Sequence, residues 1–451
     1  MIQVGQNSLT LLTLVGLLFS LNWMIAAVLL IATVPGTLIR LRYSQQLYSW
    51  QRQRTSTERQ AWYFQWMLTG EPHAKEIRLF DLGTLFIERF RNLRSTLRSE
   101  RLHLATRLVL IDLLTQFAST LAIFYALAYI TFQAVQGAIT IGDLVMYYQA
   151  FQRGQNYLRE TLKGLANLYE DSLFLTNLYE FLDLKPRVVT PTSPKVVPQP
   201  IQHGISFDHV RFDYPNATHP ILDDFTLTIR SGEHIALVAA NGAGKTTFVK
   251  LLCRLYDPTT GRITIDGIDL REFDPALLRQ QISVIFQDYA HYQLTARENI
   301  WLGNTTLASL DDKIEQAAHD TGADELIEKL SHGYDTRLGN WFDNSQELSI
   351  GEWQKIALAR AFVRDAQIIV LDEPTSALDA SAEFDVFKKF RELAVGRTTI
   401  LISHRLSTVR TADCIYVLTN GKITESGSHE DLMQFNGEYA RMFELQAGNY
   451  R

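Results

Sequence analysis

The stretch Ala239-Ala-Asn-Gly-Ala-Gly-Lys-Thr-Thr247 follows the apolar run Ile235 to Val238 and precedes a helix-like one, Phe248 to Leu255. A glycine-rich turn between a strand and a helix reads as a phosphate-binding loop. Gly242 and Gly244 let successive backbone N–H groups converge on one anion, Lys245 reaches the outer phosphates, and Thr246 offers its hydroxyl to Mg²⁺. Ala239, Ala240, Asn241, Ala243 and Thr247 complete the loop around the same anion. The ligand implied is a nucleoside triphosphate with magnesium. Ala239 stands where the motif has its first glycine, and alanine suffices wherever φ is negative.

Further along, Ile368-Ile-Val-Leu-Asp-Glu-Pro-Thr-Ser-Ala-Leu-Asp379 reads as a buried parallel strand ending in two carboxylates, because an apolar, β-branched run needs both faces covered. The acids then sit at the carboxyl edge of the sheet, where α/β folds bind ligands. Asp372 is expected to hold Mg²⁺ through water, and Glu373 to polarise the water that attacks the γ-phosphate. Just upstream, Leu348-Ser-Ile-Gly-Glu352 runs into the helical stretch Trp353 to Arg364. Ser349 and the N–H of Gly351 at that helix start make a second anion site.

These motifs together resemble the ABC transporters, of the exporter type that fuses a membrane domain to its own ATPase. The remaining family motifs follow in order: Tyr214 as the adenine-stacking aromatic, Gln287 in Phe286-Gln-Asp-Tyr289, the signature at 348 to 352, Asp379, and His404 in Leu401-Ile-Ser-His404. The resemblance implies ATP and Mg²⁺ as cofactors, with Gln287 placed between the metal and the membrane domain. It makes His404 the partner of Glu373 and the γ-phosphate. It also implies a second half-transporter, identical or not, whose Ser349 and Gly351 equivalents close over the ATP held by Lys245. Cys253 and Cys414 lack metal-like spacing and read as small hydrophobes in a reducing cytosol.

A chain of 451 residues should hold at least two domains, and its net charge of -6 offers no global basic field for nucleic acid. Residues 9 to 39 contain no Lys, Arg, Asp or Glu, and that length exceeds the roughly 20 residues one membrane span needs. It reads as one tilted span or as two joined near Asn22-Trp23, and the resemblance favours two. No basic residue precedes it, so it lacks the charged n-region of a secretory signal. Further spans are expected at about Leu108 to Thr131 and Ile141 to about Leu162. Arg40, Arg42, Arg52 and Arg54 crowd the membrane edge between them, which places that segment in the cytoplasm with the ATPase. The chain is thus expected in the cell or inner membrane. The last span carries Tyr147, Tyr148, Gln149, Gln152, Arg153, Gln155 and Asn156, polar groups that line a pathway or sit in the headgroup zone. The resemblance places a short coupling helix near Ile77 to Leu85.

The expected architecture is multidomain: an α-helical transmembrane domain of about four spans over residues 1–184, a linker over 185–203 rich in Pro, Val and Thr, and an α/β P-loop NTPase over 204–451. A complete exporter half has six spans by resemblance, so the first two are expected to be missing. Two functions of different class follow: an ATP-hydrolysing exporter subunit that couples nucleotide-driven pairing to translocation, or a shortened chain that turns over ATP without transport. Nothing in the sequence encodes the cargo.

Overall fold

The computed structural model describes residues 2–21, 23–137, 140–215, 217–240, 242–373, 391–392, 394–403 and 405–448. The chain divides into two compact units, Met1–Leu184 and Lys185–Arg451.

The first unit is helical: α1 (Ile2–Leu21), α2 (Trp23–Thr69), α3 (Ala74–Leu79), α4 (Gly83–Val135) and α5 (Ile141–Leu182). The uncharged run is therefore two helices, with Asn22 itself outside the described residues. Among the described residues, α4 is long and apolar enough to cross a bilayer, and only 6% of its apolar window is buried. Helices are the form in which lipid tolerates a backbone, because every amide is bonded within its own segment. Polar side chains tie them together. Asn7 donates to Glu160 across α1 and α5 (3.1 Å), Gln155 donates to Ser119 across α5 and α4 (3.0 Å), and Arg54 grips Glu100 with two bonds (2.8 and 2.6 Å). Of the polar run expected on the last span, Gln149, Gln152, Arg153 and Asn156 are exposed.

The short helix expected near Ile77 to Leu85 runs instead over α3. Asp81 adopts a left-handed backbone (φ 51°), which ends the turn, and Gly83 already begins α4.

The second unit has two sheets. An antiparallel one pairs β1 (Gly204–Phe212) with β2 (Leu222–Arg230) and β4 (Thr260–Ile265), with β5 (Ile268–Asp269) at its edge. The central sheet has six strands in the order β10 (Lys422–Gly427), β9 (Cys414–Thr419), β3 (His234–Ala239), β8 (Thr398–Ile402), β7 (Ile368–Asp372), β6 (Ile282–Ile285). All its pairs are parallel except β10 with β9. Every residue of β7 and β8 is buried, as expected of strands inside a parallel sheet covered on both faces. The helices α6 (Lys245–Leu252), α7 (Pro275–Gln280) and α11 (Ile350–Phe362) pack against it, while α8 (Ala296–Trp301), α9 (Asp312–Thr321) and α10 (Asp324–Ile327) gather on α11. A separate apolar cluster formed by α8 to α11 fills the stretch between Gln287 and the signature. Cys253 and Cys414 are free, and burial pushes the Cys253 thiol up to about 12.

The segment read as a linker does more than connect. Val197 and Ile201 are buried in the main core, and Gln367 accepts from the Ile201 N–H (2.7 Å) while donating to the Pro198 carbonyl (2.9 Å).

Candidate functional site

Parallel pairing brings the site together. β3, β8 and β7 are adjacent and point the same way, with Leu237 opposite Ile402 and Asp372 opposite Ile402. Their carboxyl ends therefore meet at one edge, although β3 lies more than a hundred positions before the other two in sequence.

The loop after β3 is built on glycines that cannot be replaced without strain. Gly242 (φ 81°) and Gly244 (φ 110°) are left-handed, and a Cβ on Gly244 would lie 2.9 Å from Leu222. Gly244 is the N-cap of α6, which starts at Lys245. Ala239 closes β3 as a buried strand residue, so its backbone asks for no glycine. α6 is anchored from below: Phe248 is fully buried, with its ring centroid 4.8 Å from Phe207 and 5.8 Å from Phe225. Burying such a ring contributes about 2–3 kcal/mol, enough to hold the loop's amides in place.

Lys245 is buried. Its Nζ donates to the Ala239 carbonyl (3.1 Å) and pairs with Glu373 Oε1 (3.3 Å). Gln287 Nε2 donates to the other Glu373 oxygen (3.0 Å). Glu373 is itself left-handed (φ 50°), and its N–H is tied to the last β8 carbonyl, Ile402 O (2.9 Å). A non-glycine residue in that region costs about 1–3 kcal/mol and is a mark of functional sites. Thr246 Oγ1 donates to Asp372 Oδ2 (3.2 Å), and Asp372 is 1% exposed. Burial pushes the Asp372 carboxyl above its ordinary value, with Glu373 and Asp288 acting in the same sense and the Thr246 bond opposing them. A hydroxyl beside a carboxylate at a dry strand end is an all-oxygen donor set of the kind a hard divalent cation takes.

Tyr214 packs edge-on to Phe212 (4.9 Å) and Tyr256 (5.4 Å), and its hydroxyl meets Thr247 Oγ1 (3.2 Å). The Lys250 ammonium lies 5.6 Å from its ring centroid. Ala240 is exposed and its carbonyl accepts from the Ala243 N–H (3.3 Å). Ser349 and Gly351 sit on another element: Ser349 is the N-cap of α11, and its polar contacts go to Glu352. Asn241, Asp379 and His404 lie outside the described residues. The Ser349–Glu352 pair was not singled out from sequence, although Ser-x-x-Glu at a helix start is the signature of a capping box.

The family model for the ABC transporter matches residues 222–376. The chain is 33% identical over 445 residues to the subtilin transport ATP-binding protein of Bacillus subtilis, covering 99% of this chain and 72% of that protein. It is also 33% identical over 419 residues to the nisin transport ATP-binding protein of Lactococcus lactis subsp. lactis, covering 93% and 70%. An ATP-dependent lipid A-core flippase of Sodalis glossinidius is 35% identical over 382 residues, covering 85% and 64%. Among solved structures, a bacterial Atm1-family ABC exporter with ATP bound superposes with a TM-score of 0.83 at 28% identity, covering 98% of this chain and 76% of that one. With a phosphate loop, a paired-acid strand end and kinship along nearly its whole length, the chain belongs to the ABC transporters of the exporter type, membrane proteins that use ATP hydrolysis to drive transport.

Proposed function

We propose that the Lys245 cluster is the hydrolytic half of an ATP site shared between two half-transporters. The carrying observation is the convergence on Glu373: one oxygen on Lys245, the other on Gln287. Without nucleotide, Lys245 neutralises Glu373. When a triphosphate settles on Gly242 and Gly244, the ammonium turns to its outer phosphates and Glu373 is released to take a proton from the attacking water. Thr246, Asp372 and Gln287 are the residues that would hold Mg²⁺, whose charge would offset that of the phosphates. Tyr214 takes the adenine on the ring face away from Lys250, and His404 orients the γ-phosphate. Ala239 supplies a carbonyl that positions Lys245.

Ser349 and Gly351 complete the site of a second copy or of a sister half-transporter, so a single chain has half of each site. Residues 1–184 form the membrane domain, 185–203 the connection and 204–451 the ATPase, which faces the cytoplasm of a cell or inner membrane. Kinship with named transporters over 99% of the chain favours a pump over an ATPase that moves nothing. Those relatives are named for cargoes as different as subtilin and lipid A-core.

The test is a fluorescence titration with Mg-ATP. Lys245→Ala should weaken binding roughly 10- to 100-fold, the worth of a charged hydrogen bond. Unchanged affinity would remove the assignment.

A further inference from the structure

The amino end of α11 is closed by its own acid. The Ser349 hydroxyl donates to Glu352 Oε2 (2.8 Å), the Ser349 N–H donates to the same oxygen (2.8 Å), and the Glu352 N–H returns to Ser349 Oγ (3.4 Å). Three other helices begin with the same box, at Thr140/Asp143, Thr295/Glu298 and Ser428/Asp431, where it satisfies amides that the helix leaves unbonded. At α11 the bonds fall on the hydroxyl that the proposed function assigns to the γ-phosphate held by a facing chain.

A hydroxyl has one proton to donate. While Ser349 gives it to Glu352, none is left for a phosphate oxygen. The carboxylate also sets a full negative charge at the mouth of a site meant for an anion, and like charges a few ångströms apart repel. The helix start is thus satisfied from within. A second observation lies two residues on: Gln354 is 2% exposed, and neither its amide nitrogen nor its amide oxygen has a hydrogen-bond partner among the described residues. A buried amide left unpaired is a destabilised group. It sits one turn into the helix whose amino end Ser349 and Glu352 close.

We propose that Glu352 is a gate on the shared ATP site: its carboxylate must leave Ser349 before the second chain can close over the nucleotide. Glu352 is a positioning residue, acting through Ser349, and it sets the ATP concentration at which closure occurs. The inference rests on the reading of Ser349 as a phosphate ligand.

The experiment uses the full chain in lipid nanodiscs with Glu352→Gln and Ser349→Ala. One readout is steady-state ATPase, resolved into KM and kcat. The other is the lifetime of ATP retained after rapid gel filtration, measured in a Glu373→Gln background so that it is independent of turnover. Glutamine still offers an oxygen at that position, so the helix start is kept, but a neutral acceptor holds the Ser349 hydroxyl less tightly than a carboxylate and the charge is gone. Glu352→Gln should lower KM and lengthen ATP retention by about fivefold each, the scale of one unit-charge contact fully exposed to water, with kcat little changed. Ser349→Ala should raise KM and shorten retention. Glu352→Gln indistinguishable from the parent while Ser349→Ala is impaired would overturn the gate and leave the signature site standing. Ser349→Ala without effect on either readout would remove the signature reading, and the gate with it.

Discussion

Two stretches of similar apolar character meet opposite fates in this chain. In α4, Leu110, Leu113, Leu114 and Phe117 are 57 to 69% exposed, while in β7 and β8 every residue is buried. The difference lies in what solvates them. A strand carries unpaired backbone groups on both sides and must be enclosed by neighbouring strands, whereas a helix bonds its own amides and can present apolar side chains to lipid. Polar groups invert accordingly. In the ATPase unit Lys245, Asp372 and Glu373 bring charged groups together at the strand ends, and in the first unit polar side chains join helices in pairs such as Ser119 with Gln155. Position in the fold, and not composition, decides which apolar run is core.

That contrast can be broken by substitution. Ile400, fully buried at the centre of β8, should cost about 2–5 kcal/mol as Ile400→Ala, read by calorimetry from the unfolding transition of the ATPase unit. A smaller loss would mean the sheet is less tightly packed than described.

Asp372→Asn should act in the opposite direction. The native carboxyl is raised, so the folded state binds more protons than the unfolded one between the ordinary value and the raised one. Stability therefore falls as pH rises through that window, and the penalty persists at neutral pH. Removing the charge should raise the Tm of the nucleotide-free protein at pH 7 and abolish turnover. A lower Tm would show that the charged form is favoured in the fold. The smallest effect is expected on α4, where Leu114→Ala should change stability by less than about 0.5 kcal/mol. A loss comparable to that of Ile400→Ala would mean that another surface covers Leu114.

The sequence carried the strand ends and the loop between them, because β7 is an unbroken apolar run closed by two acids and Gly242 and Gly244 sit at left-handed positions. It did not carry the contacts from Lys245 and Gln287 to Glu373, which depend on the order of strands and leave no local trace. The short helix expected near Ile77 to Leu85 lies a few residues earlier, over Ala74–Leu79, because Asp81 makes the turn and Gly83 already starts α4. The packing of Val197 was hidden by the prolines around it. Its alternation with Val196, which is 86% exposed, was the available signal.

The central claim, that Glu373 is the base of an ATPase held in check by Lys245 and Gln287, is tested most directly by the steady-state ATPase rate of the purified full chain carrying Glu373→Gln. Turnover should fall by about 10²-fold or more, the usual scale for loss of a general base, while Mg-ATP still binds. A rate equal to that of the parent would contradict the account.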